Sequence, residues 1–224
     1  MKEYKQEFIT FLLETGALKF GEFTLKSGRI SPYFINTGMF KDEKSIAKLS
    51  AFYAQTIKDN ISRFDVLFGP AYKGIPLCVS TAMSLMKDHD INVSYVFNRK
   101  EVKDYADKSA IVGQEMTSAT SIVLIDDVIT SGKAIKETFD ILKNIGNPQV
   151  KAIVISVDRQ EKGKDTELSA IQQVEKDHAV KVIPIITLSD IIEFAHNKKI
   201  NGKVYLNDEM KQRIDDYQEQ YGAQ

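Results

Sequence analysis

The sequence predicts an α/β domain with a mainly parallel central sheet flanked by helices. From residue 66 onward, short apolar runs alternate with segments whose apolar residues recur every three or four positions. Strands that alternate with helices pair in parallel through right-handed crossovers. The runs at 66–69 and 121–125 are continuously apolar, as strands buried on both faces require. The chain of 224 residues, 43% of them hydrophobic, is long enough to bury a full core as one domain.

Two helices and a strand pair are predicted before this alternation begins. A helix at 3–14 places Phe8, Phe11 and Leu12 on one face and ends near Gly16. The later elements follow in order: two short strands around a Ser-Gly turn within 20–36, helix 42–60, strand 66–69, helix 74–87, strand 93–97, a polar segment, strand 121–125, helix 133–144, strand 151–157, a helix near 167–177, strand 181–186, a helix capped by Ser189 and a last helix at 208–220.

Charge and cysteine content exclude several classes of protein. The formal net charge is −1, and basic residues are interspersed with acidic ones, so general nucleic-acid binding is not expected. The single cysteine, Cys78, precludes an intrachain disulfide and lies in an apolar-periodic segment, which predicts a buried side chain and a cytoplasmic protein. Neither a signal peptide nor a membrane span is expected, because no stretch approaches 18 uncharged residues.

The most informative motif is the segment 121–134, SIVLIDDVITSGKA. An apolar strand ends at Asp126 and Asp127, where open α/β sheets bind ligands, and the small Thr-Ser-Gly turn then leads into a helix N-terminus suited to a phosphate. The acid pair is suited to sugar hydroxyls or to developing positive charge. An acid pair alone is more often solvated, with a Thr or Ser as an ordinary N-cap. The complete order of parts favours a site for a phosphorylated sugar.

Two further segments suggest anion binding. In 65–76, DVLFGPAYKGIP, a strand ends before a Tyr-Lys-Gly turn and a helix, so Lys73 is either a cation for a diphosphate or a solvated lysine. Alone it is ambiguous, and its combination with the motif at 126–134 favours the diphosphate site. The long polar segment 98–119 contains Arg99, Lys100 and Lys103. Its composition supports a mobile lid over a diphosphate and a charged solvated loop about equally.

These motifs resemble those of a known family. The segment 121–134 resembles the phosphoribosyl pyrophosphate (PRPP) motif of type I phosphoribosyltransferases. The segment 23–36, FTLKSGRISPYFIN, closely resembles one that is distinctive of orotate phosphoribosyltransferases, and residues 157–161, VDRQE, resemble a further segment of that family. On its residues alone, 23–36 would be interpreted as a surface hairpin with Phe34 in the core.

The resemblance implies a type I phosphoribosyltransferase fold and a role for each matching residue. It implies a core at about 41–187 and a small hood subdomain formed by 1–40 and 188–224, within a single domain. The residues implied to act in catalysis are Asp126, Asp127, Lys73 and Lys103. Those implied to bind PRPP are Lys26, Tyr72, Lys73, Arg99, Lys100, Lys103, Tyr105, Asp126, Asp127, Val128, Ile129, Thr130, Ser131, Gly132, Lys133 and Ala134. Those implied to contact orotate are Lys26, Phe34, Ile35, Thr130 and Arg159.

Three positions depart from the family pattern. Tyr105 stands where a lid histidine is common, which puts a histidine-dependent pH effect in doubt, and Ile35 replaces a frequent aromatic with an apolar wall. Lys133 stands where many relatives carry Thr, and a cation in a first helical turn costs about 0.3 to 1 kcal/mol until a phosphate binds.

The resemblance implies a magnesium-dependent glycosyltransferase of pyrimidine biosynthesis that acts as a homodimer. A protein-bound zinc site is not expected, since the histidines His89, His178 and His196 form no ligand spacing. Mg²⁺ is expected to be held mainly by the substrate, because a diphosphate concentrates negative charge. The lid residues Lys100, Lys103 and Tyr105 are expected to act in the partner's site. A phosphoribosyltransferase for another base, or a PRPP-binding regulatory protein, is the alternative. The length leaves no room for a second, barrel-sized domain.

Overall fold

The helices and strands closely follow the predicted order. The computed structural model describes residues 1–25, 27–100, 110–130, 132–163 and 166–223. The helices are α1 (Glu3–Glu14), α2 (Glu43–Asn60), α3 (Gly74–His89), α4 (Lys133–Asn144), α5 (Ala170–His178), α6 (Leu188–Ala195) and α7 (Asp208–Tyr221). The strands are β1 (Leu18–Thr24), β2 (Ile30–Ile35), β3 (Val66–Gly69), β4 (Ser94–Asn98), β5 (Ile111–Gly113), β6 (Ser121–Ile125), β7 (Gln149–Asp158), β8 (Lys181–Thr187), β9 (Lys199–Ile200) and β10 (Lys203–Val204).

A mainly parallel sheet forms the centre of the molecule, as predicted. Among the described residues its strand order is β5-β4-β3-β6-β7-β8. All neighbouring pairs are parallel except β4 with β5. The carboxyl ends of β3, β6 and β7 therefore lie side by side at one edge, where ligands of open α/β sheets bind.

Both faces of the sheet are covered, which explains its continuously apolar strands. Along β6, Val123 and Ile125 pack on the side of α2 and α3. The alternate residues, Ile122 and Leu124, pack on the side of α4 and α5. All of these side chains are fully buried, so a polar substitution on either face would leave an unsatisfied group in the core.

The terminal segments join one of these two core clusters. It contains Phe8 of α1, Leu188 of α6 and Ile214 of α7 together with residues of the sheet. Helix α7 packs on β2, and α1 contacts α6. The division into a core at 41–187 and a hood remains a prediction. Among the described residues, no helix is both long enough and apolar enough to cross a bilayer.

Three details differ from the sequence expectations. The cap of α6 is Thr187, not Ser189, because Thr187 and Asp190 form a reciprocal capping box. Strand β5 and the β9–β10 hairpin were not predicted, since runs of two or three residues give too little periodicity. In β2 the fully buried aromatic is Tyr33. Phe34 points to the other face of the strand, where it stacks on Phe23 with the ring centres 5.5 Å apart.

Candidate active site

The acid pair lies directly after β6, at the carboxyl edge of the sheet. Asp127 is buried, and its Oδ2 accepts hydrogen bonds from Lys73 Nζ and from Thr37 Oγ1, each at 2.6 Å. Lys73 comes from the turn before α3, and Thr37 follows β2. Three separate parts of the sequence therefore meet at one carboxylate.

The main chain of the acid pair is held from behind. Tyr53 Oη, from α2, donates to the carbonyl oxygen of Asp126 at 2.9 Å. The backbone N–H of Ser156 donates to the carbonyl oxygen of Asp127 at 2.9 Å, and its Oγ donates to the same oxygen at 2.6 Å. Both donors are buried inside the molecule.

The turn at 70–73 connects β3 to α3 and carries two predicted ligand residues. The backbone N–H of Ala71 donates to Oδ1 of the buried Asn98 at 2.8 Å, and the Ala71–Tyr72 peptide bond is cis. The side chain of Tyr72 is exposed, and Lys100 Nζ lies 6.0 Å from the centre of its ring. Lys73 projects from this turn toward Asp127. A ligand at the strand ends would thus meet both Tyr72 and Lys73.

The start of α4 follows the acid pair. Its N-cap is Gly132, with a φ of +69° and no side chain to cap the first N–H groups. Thr130 and Ala134 are exposed, Val128 is half-buried, and Ile129 packs against the α4 side of the core. Lys133 is exposed and forms an ion pair with Glu137 at 3.8 Å. Uncapped N–H groups beside a loop of small residues can accept a phosphate.

Arg159 follows β7, the neighbour of β6 in the sheet. Its Nε and Nη2 donate to Oε1 of Glu161 at 3.0 and 2.7 Å. Tyr33 Oη donates to the carbonyl oxygen of Arg159 at 3.4 Å, which connects β2 to this segment. Phe34 and Ile35 complete β2 two or three residues before Thr37. The β1–β2 hairpin thus joins the acid pair and Arg159.

A cavity of about 620 Å³ lies at the opposite, amino edge of the sheet. Its lining includes Arg63, Asp65, Lys151 and Lys181, and none of the described residues that line it is a predicted site residue. The polar groups that converge at the carboxyl edge make that edge the candidate active site.

Comparisons with known proteins show the family of this chain. A model of the phosphoribosyl transferase domain family matches residues 36–187. The orotate phosphoribosyltransferase of Clostridium beijerinckii is 46% identical over 224 residues, which cover 100% of both chains. The chain belongs to the orotate phosphoribosyltransferase family. An orotate phosphoribosyltransferase of Vibrio vulnificus is 52% identical over 198 residues, or 88% of this chain and 91% of the relative. The crystal structure of the orotate phosphoribosyltransferase of Francisella tularensis matches with a TM-score of 0.84 and 39% identity, over 96% of this chain and 99% of that one.

The orotate phosphoribosyltransferase fold brings most of the predicted site residues to one edge. Direct contacts join Lys73 to Asp127, and Arg159 lies at the end of the adjacent strand. Arg99 follows β4, and its N–H donates to the carbonyl oxygen of Ala110 at 2.8 Å. The predictions for Lys26, Lys103, Tyr105 and Ser131 fall outside the described residues. Their roles, like those of the other site residues, remain predictions.

Sequence reasoning missed several residues of this site, including Tyr53 and Ser156 behind the acid pair. Thr37 contacts Asp127, Asn98 holds the turn at Ala71, and Glu161 binds Arg159. Thr37 and Asn98 have no local signal, because each acts on a residue far away in sequence. Glu161 stood in the recognised VDRQE segment, and its acidic side chain two residues after Arg159 was the available signal.

His178, His196 and Cys78 contact other protein groups away from the acid pair. His178 stacks on Phe139 with the ring centres 3.9 Å apart, and His196 Nε2 lies 2.8 Å from Oδ1 of Asp208. Cys78 is fully buried, as predicted, and burial raises the pKa of its thiol to about 12. The thiol therefore stays protonated and unreactive at neutral pH.

The carboxyl group of Asp126 lies in surroundings that favour its protonated form. Burial, followed by the charge of Asp127, raises the pKa of Asp126 to about 7. Between pH 4 and 7 the folded chain therefore binds a proton at Asp126 that the unfolded chain has lost. Stability falls with rising pH wherever the folded state binds more protons, so ionised Asp126 destabilises the fold.

An Asp126→Asn variant is expected to remove this pH dependence. Its free energy of unfolding relative to the parent chain should rise by a few kcal/mol between pH 4 and 7 and level off above pH 7. Urea unfolding across this pH range measures the difference. Asp65→Asn is the control, because the hydroxyl and the N–H of Ser121 lower the pKa of Asp65 below its usual range. Its contribution to stability is lost only at more acidic pH, so its difference from the parent should stay nearly constant between pH 4 and 7. A constant difference between Asp126→Asn and the parent would refute the prediction.

Proposed function

We propose that the chain transfers the 5-phosphoribosyl group of PRPP to orotate, giving orotidine 5′-monophosphate and diphosphate. This reaction belongs to the synthesis of pyrimidine nucleotides, and we place the enzyme in the cytoplasm. The observation that carries the proposal is the meeting of Lys73, Asp127 and Thr37 beside the loop that leads into α4. A cation for the diphosphate and a carboxylate for the ribose, Lys73 and Asp127, lie there within hydrogen-bonding distance of each other.

The proposed mechanism is charge stabilisation without a covalent enzyme intermediate. A ring nitrogen of orotate attacks C1 of the ribose as the diphosphate leaves. Asp126 and Asp127 hold the ribose hydroxyls and face the positive charge that develops on the sugar. Lys73, together with Arg99, Lys100 and Lys103, meets the negative charge that develops on the leaving diphosphate.

The two ends of the substrates have separate partners. The N–H groups of the 130–134 turn bind the 5′-phosphate, with Thr130 also near the base. Arg159 pairs with the carboxylate of orotate through its planar fork. Lys26, Phe34 and Ile35 bind the pyrimidine ring. Lys73 must release Asp127 when PRPP enters, which couples donor binding to the availability of the acid pair.

Mg²⁺ fits the site as a companion of PRPP. Among the described residues, no cluster of three or more acidic, histidine or cysteine side chains is suited to hold a metal ion by itself. The carboxylates of Asp126 and Asp127 offer oxygen atoms to the hydration shell of a substrate-bound ion, which is a usual arrangement for Mg²⁺. When bound, the ion neutralises the diphosphate and makes it a better leaving group.

Loss of orotate absorbance on mixing the chain with PRPP and Mg²⁺ tests the proposed reaction. Hypoxanthine, adenine and uracil serve as alternative acceptors. An Asp127→Asn chain purified in parallel controls for contaminating activity. Turnover of another base without turnover of orotate would refute the substrate assignment, and binding of PRPP without turnover of any base would favour a regulatory protein.

We further propose that the active form is a homodimer built on α3. Met83 and Met86 of α3 are 68% and 51% exposed, and the neighbouring strand exposes Tyr95. An isologous interface would bury these side chains against their copies. Lys100, Lys103 and Tyr105, which follow that strand, would then reach the partner's site.

A Met83→Glu variant is expected to be monomeric and at least about tenfold less active. The new carboxylates would face each other across the two-fold axis, and like charges in an interface are strongly unfavourable. Sedimentation velocity and specific activity over a dilution series measure both effects. Val204→Glu, at an exposed residue of the β9–β10 hairpin, is the matched control. A monomer with full activity would contradict lid residues acting in the partner's site.

A further inference from the structure

The side chain of Glu161 joins three distant parts of the chain. Its Oε1 accepts hydrogen bonds from Nε and Nη2 of Arg159 at 3.0 and 2.7 Å, and from Tyr33 Oη at 2.5 Å. Its Oε2 accepts a hydrogen bond from Tyr217 Oη at 3.2 Å. The donors come from the segment after β7, from β2 and from α7. A single carboxylate therefore fixes these elements to one another.

This network is largely shielded from water. The side chains of Arg159 and Glu161 are only 20% and 13% exposed. Burial, followed by the charge of Glu161, raises the pKa of Tyr33 well above its usual range, so its phenol stays protonated and donates. Arg29 adds a second guanidinium, with Nη1 3.9 Å from Oε2 of Glu161. A buried ion pair of this kind is tolerated only when the lone pairs of the carboxylate and the N–H groups of the guanidinium form hydrogen bonds. The same hydrogen bonds hold the two side chains in one orientation.

The geometry leaves one edge of the guanidinium of Arg159 for a ligand. Nε and one N–H of Nη2 face Glu161, and no hydrogen bond joins Nη1 to any of the described residues. The second N–H of Nη2 and an N–H of Nη1 form a parallel fork on the other edge. Such a fork matches the spacing of the two oxygens of a carboxylate.

We infer that Glu161 is a positioning residue for base recognition: it holds Arg159 by one edge so that the opposite edge meets the carboxylate of the pyrimidine. The inference rests on the proposed function and deepens it. Arg159 touches the substrate, whereas Glu161 acts through Arg159.

The network also gives the last helix a part in choosing the base. The matched phosphoribosyl transferase domain ends at residue 187 and begins at residue 36, so Tyr33 and Tyr217 both lie outside it. Two main-chain hydrogen bonds strengthen the link, from Lys162 N to Tyr221 O at 2.8 Å and from Ala223 N to Gln160 O at 2.9 Å. Recognition of the carboxylate thus depends on parts of the chain that the generic domain does not contain.

The test compares two nucleotides that differ only in that carboxylate, orotidine 5′-monophosphate and uridine 5′-monophosphate. Calorimetry gives the ratio of their affinities for the full-length chain and its variants. Glu161→Met removes the acceptor oxygens at similar length, and Glu161→Gln keeps an acceptor oxygen and removes the charge. Glu167→Met is the matched control, because Glu167 is 87% exposed and pairs with Lys162 at 3.0 Å.

The affinity ratio should fall about tenfold in Glu161→Met, because a charge-assisted hydrogen bond that lacks its geometry loses that much. Glu161→Gln should stay within about threefold of the parent, and Glu167→Met should not differ from it. The affinity for PRPP should be the same in all four chains. Tyr217→Phe, which removes one donor to Glu161, should lower the ratio about threefold and decides the question if Glu161→Met does not fold.

Three results would overturn the inference. The first is an unchanged affinity ratio of the two nucleotides in Glu161→Met, or in Tyr217→Phe if Glu161→Met does not fold. The second is an equal loss of affinity for both nucleotides, which indicates a structural role alone. The third is an equal fall of the affinity ratio in Glu161→Met and Glu161→Gln, which indicates that the charge of Glu161 matters and not its position. Failure of the proposed function is distinguishable, because the parent chain itself would then show no preference for orotidine 5′-monophosphate.

Discussion

A Lys73→Met variant is expected to turn over orotate about 100 to 1,000 times more slowly than the parent chain. Lys73 Nζ lies 2.6 Å from Oδ2 of Asp127, at the place where the diphosphate is proposed to leave. Removing one preorganised group that stabilises transition-state charge typically costs that factor in kcat. Methionine keeps the length and the apolar stem of the side chain, so the turn at 70–73 should persist. Steady-state kinetics with saturating PRPP and Mg²⁺ measure the loss.

The stability of this variant should fall by no more than about 1 to 3 kcal/mol. The Lys73 side chain is 65% exposed, but that of Asp127 is 11% exposed, so the variant leaves a largely buried carboxylate that keeps its hydrogen bond from Thr37. Lys87→Met, in the last turn of the same helix, is the control for removal of a cation. Activity within about threefold of the parent would show that Lys73 does not meet the leaving group.

A Gly69→Ala variant is expected to damage both stability and activity. A Cβ at Gly69 would lie 2.1 Å from the carbonyl oxygen of Gly74 and 2.8 Å from Sγ of Cys78. Strand β3 and the start of α3 must therefore separate, at a cost of about 1 to 3 kcal/mol in the free energy of unfolding. The turn that carries Lys73 lies between them, and a displacement of about 1 Å lowers kcat about 100-fold. Urea unfolding and steady-state kinetics measure the two effects.

Gly202→Ala separates crowding from backbone strain. Nothing lies within 4 Å of a Cβ at Gly202, but its φ of +79° strains an alanine by about 1 to 2 kcal/mol. That variant should lose stability and keep full activity. Adding Cys78→Ala to Gly69→Ala should not restore activity, because the nearest clash is with backbone. A fully active Gly69→Ala chain would show that the contact between β3 and α3 does not position Lys73.

Sequence patterns predicted the fold and the main loops because their signals are local. The apolar runs of β3 and β6 are buried on both faces, and the acid pair follows β6 directly, so the burial of the strands and the place of the acid pair at the sheet edge could be predicted together. The start of α4 after the Thr-Ser-Gly turn was predicted to the residue. In each case a few consecutive residues are enough to determine the local structure.

The parts that could not be predicted depend on contacts across the fold. Thr37 and Asp127 are 90 residues apart in sequence, and Tyr33 and Glu161 are 128 apart. Only the packing of the hairpin against the sheet brings these pairs together. The cap of α6 was misplaced because Thr187 and Ser189 are both good capping residues, and the choice depends on Asp190 reaching back to the N–H of Thr187.

The hydrogen bonds that Tyr53 and Ser156 donate behind the acid pair should reduce the entropic cost of the PRPP binding proposed for this site. The carbonyl oxygen of Asp126 and that of Asp127 each accept a hydrogen bond from a buried donor, so the protein itself fixes this main chain. An element that is ordered in advance loses little conformational freedom when a ligand arrives. The free energy of binding the ribose then orients C1 for attack, because little of it is needed to order the loop.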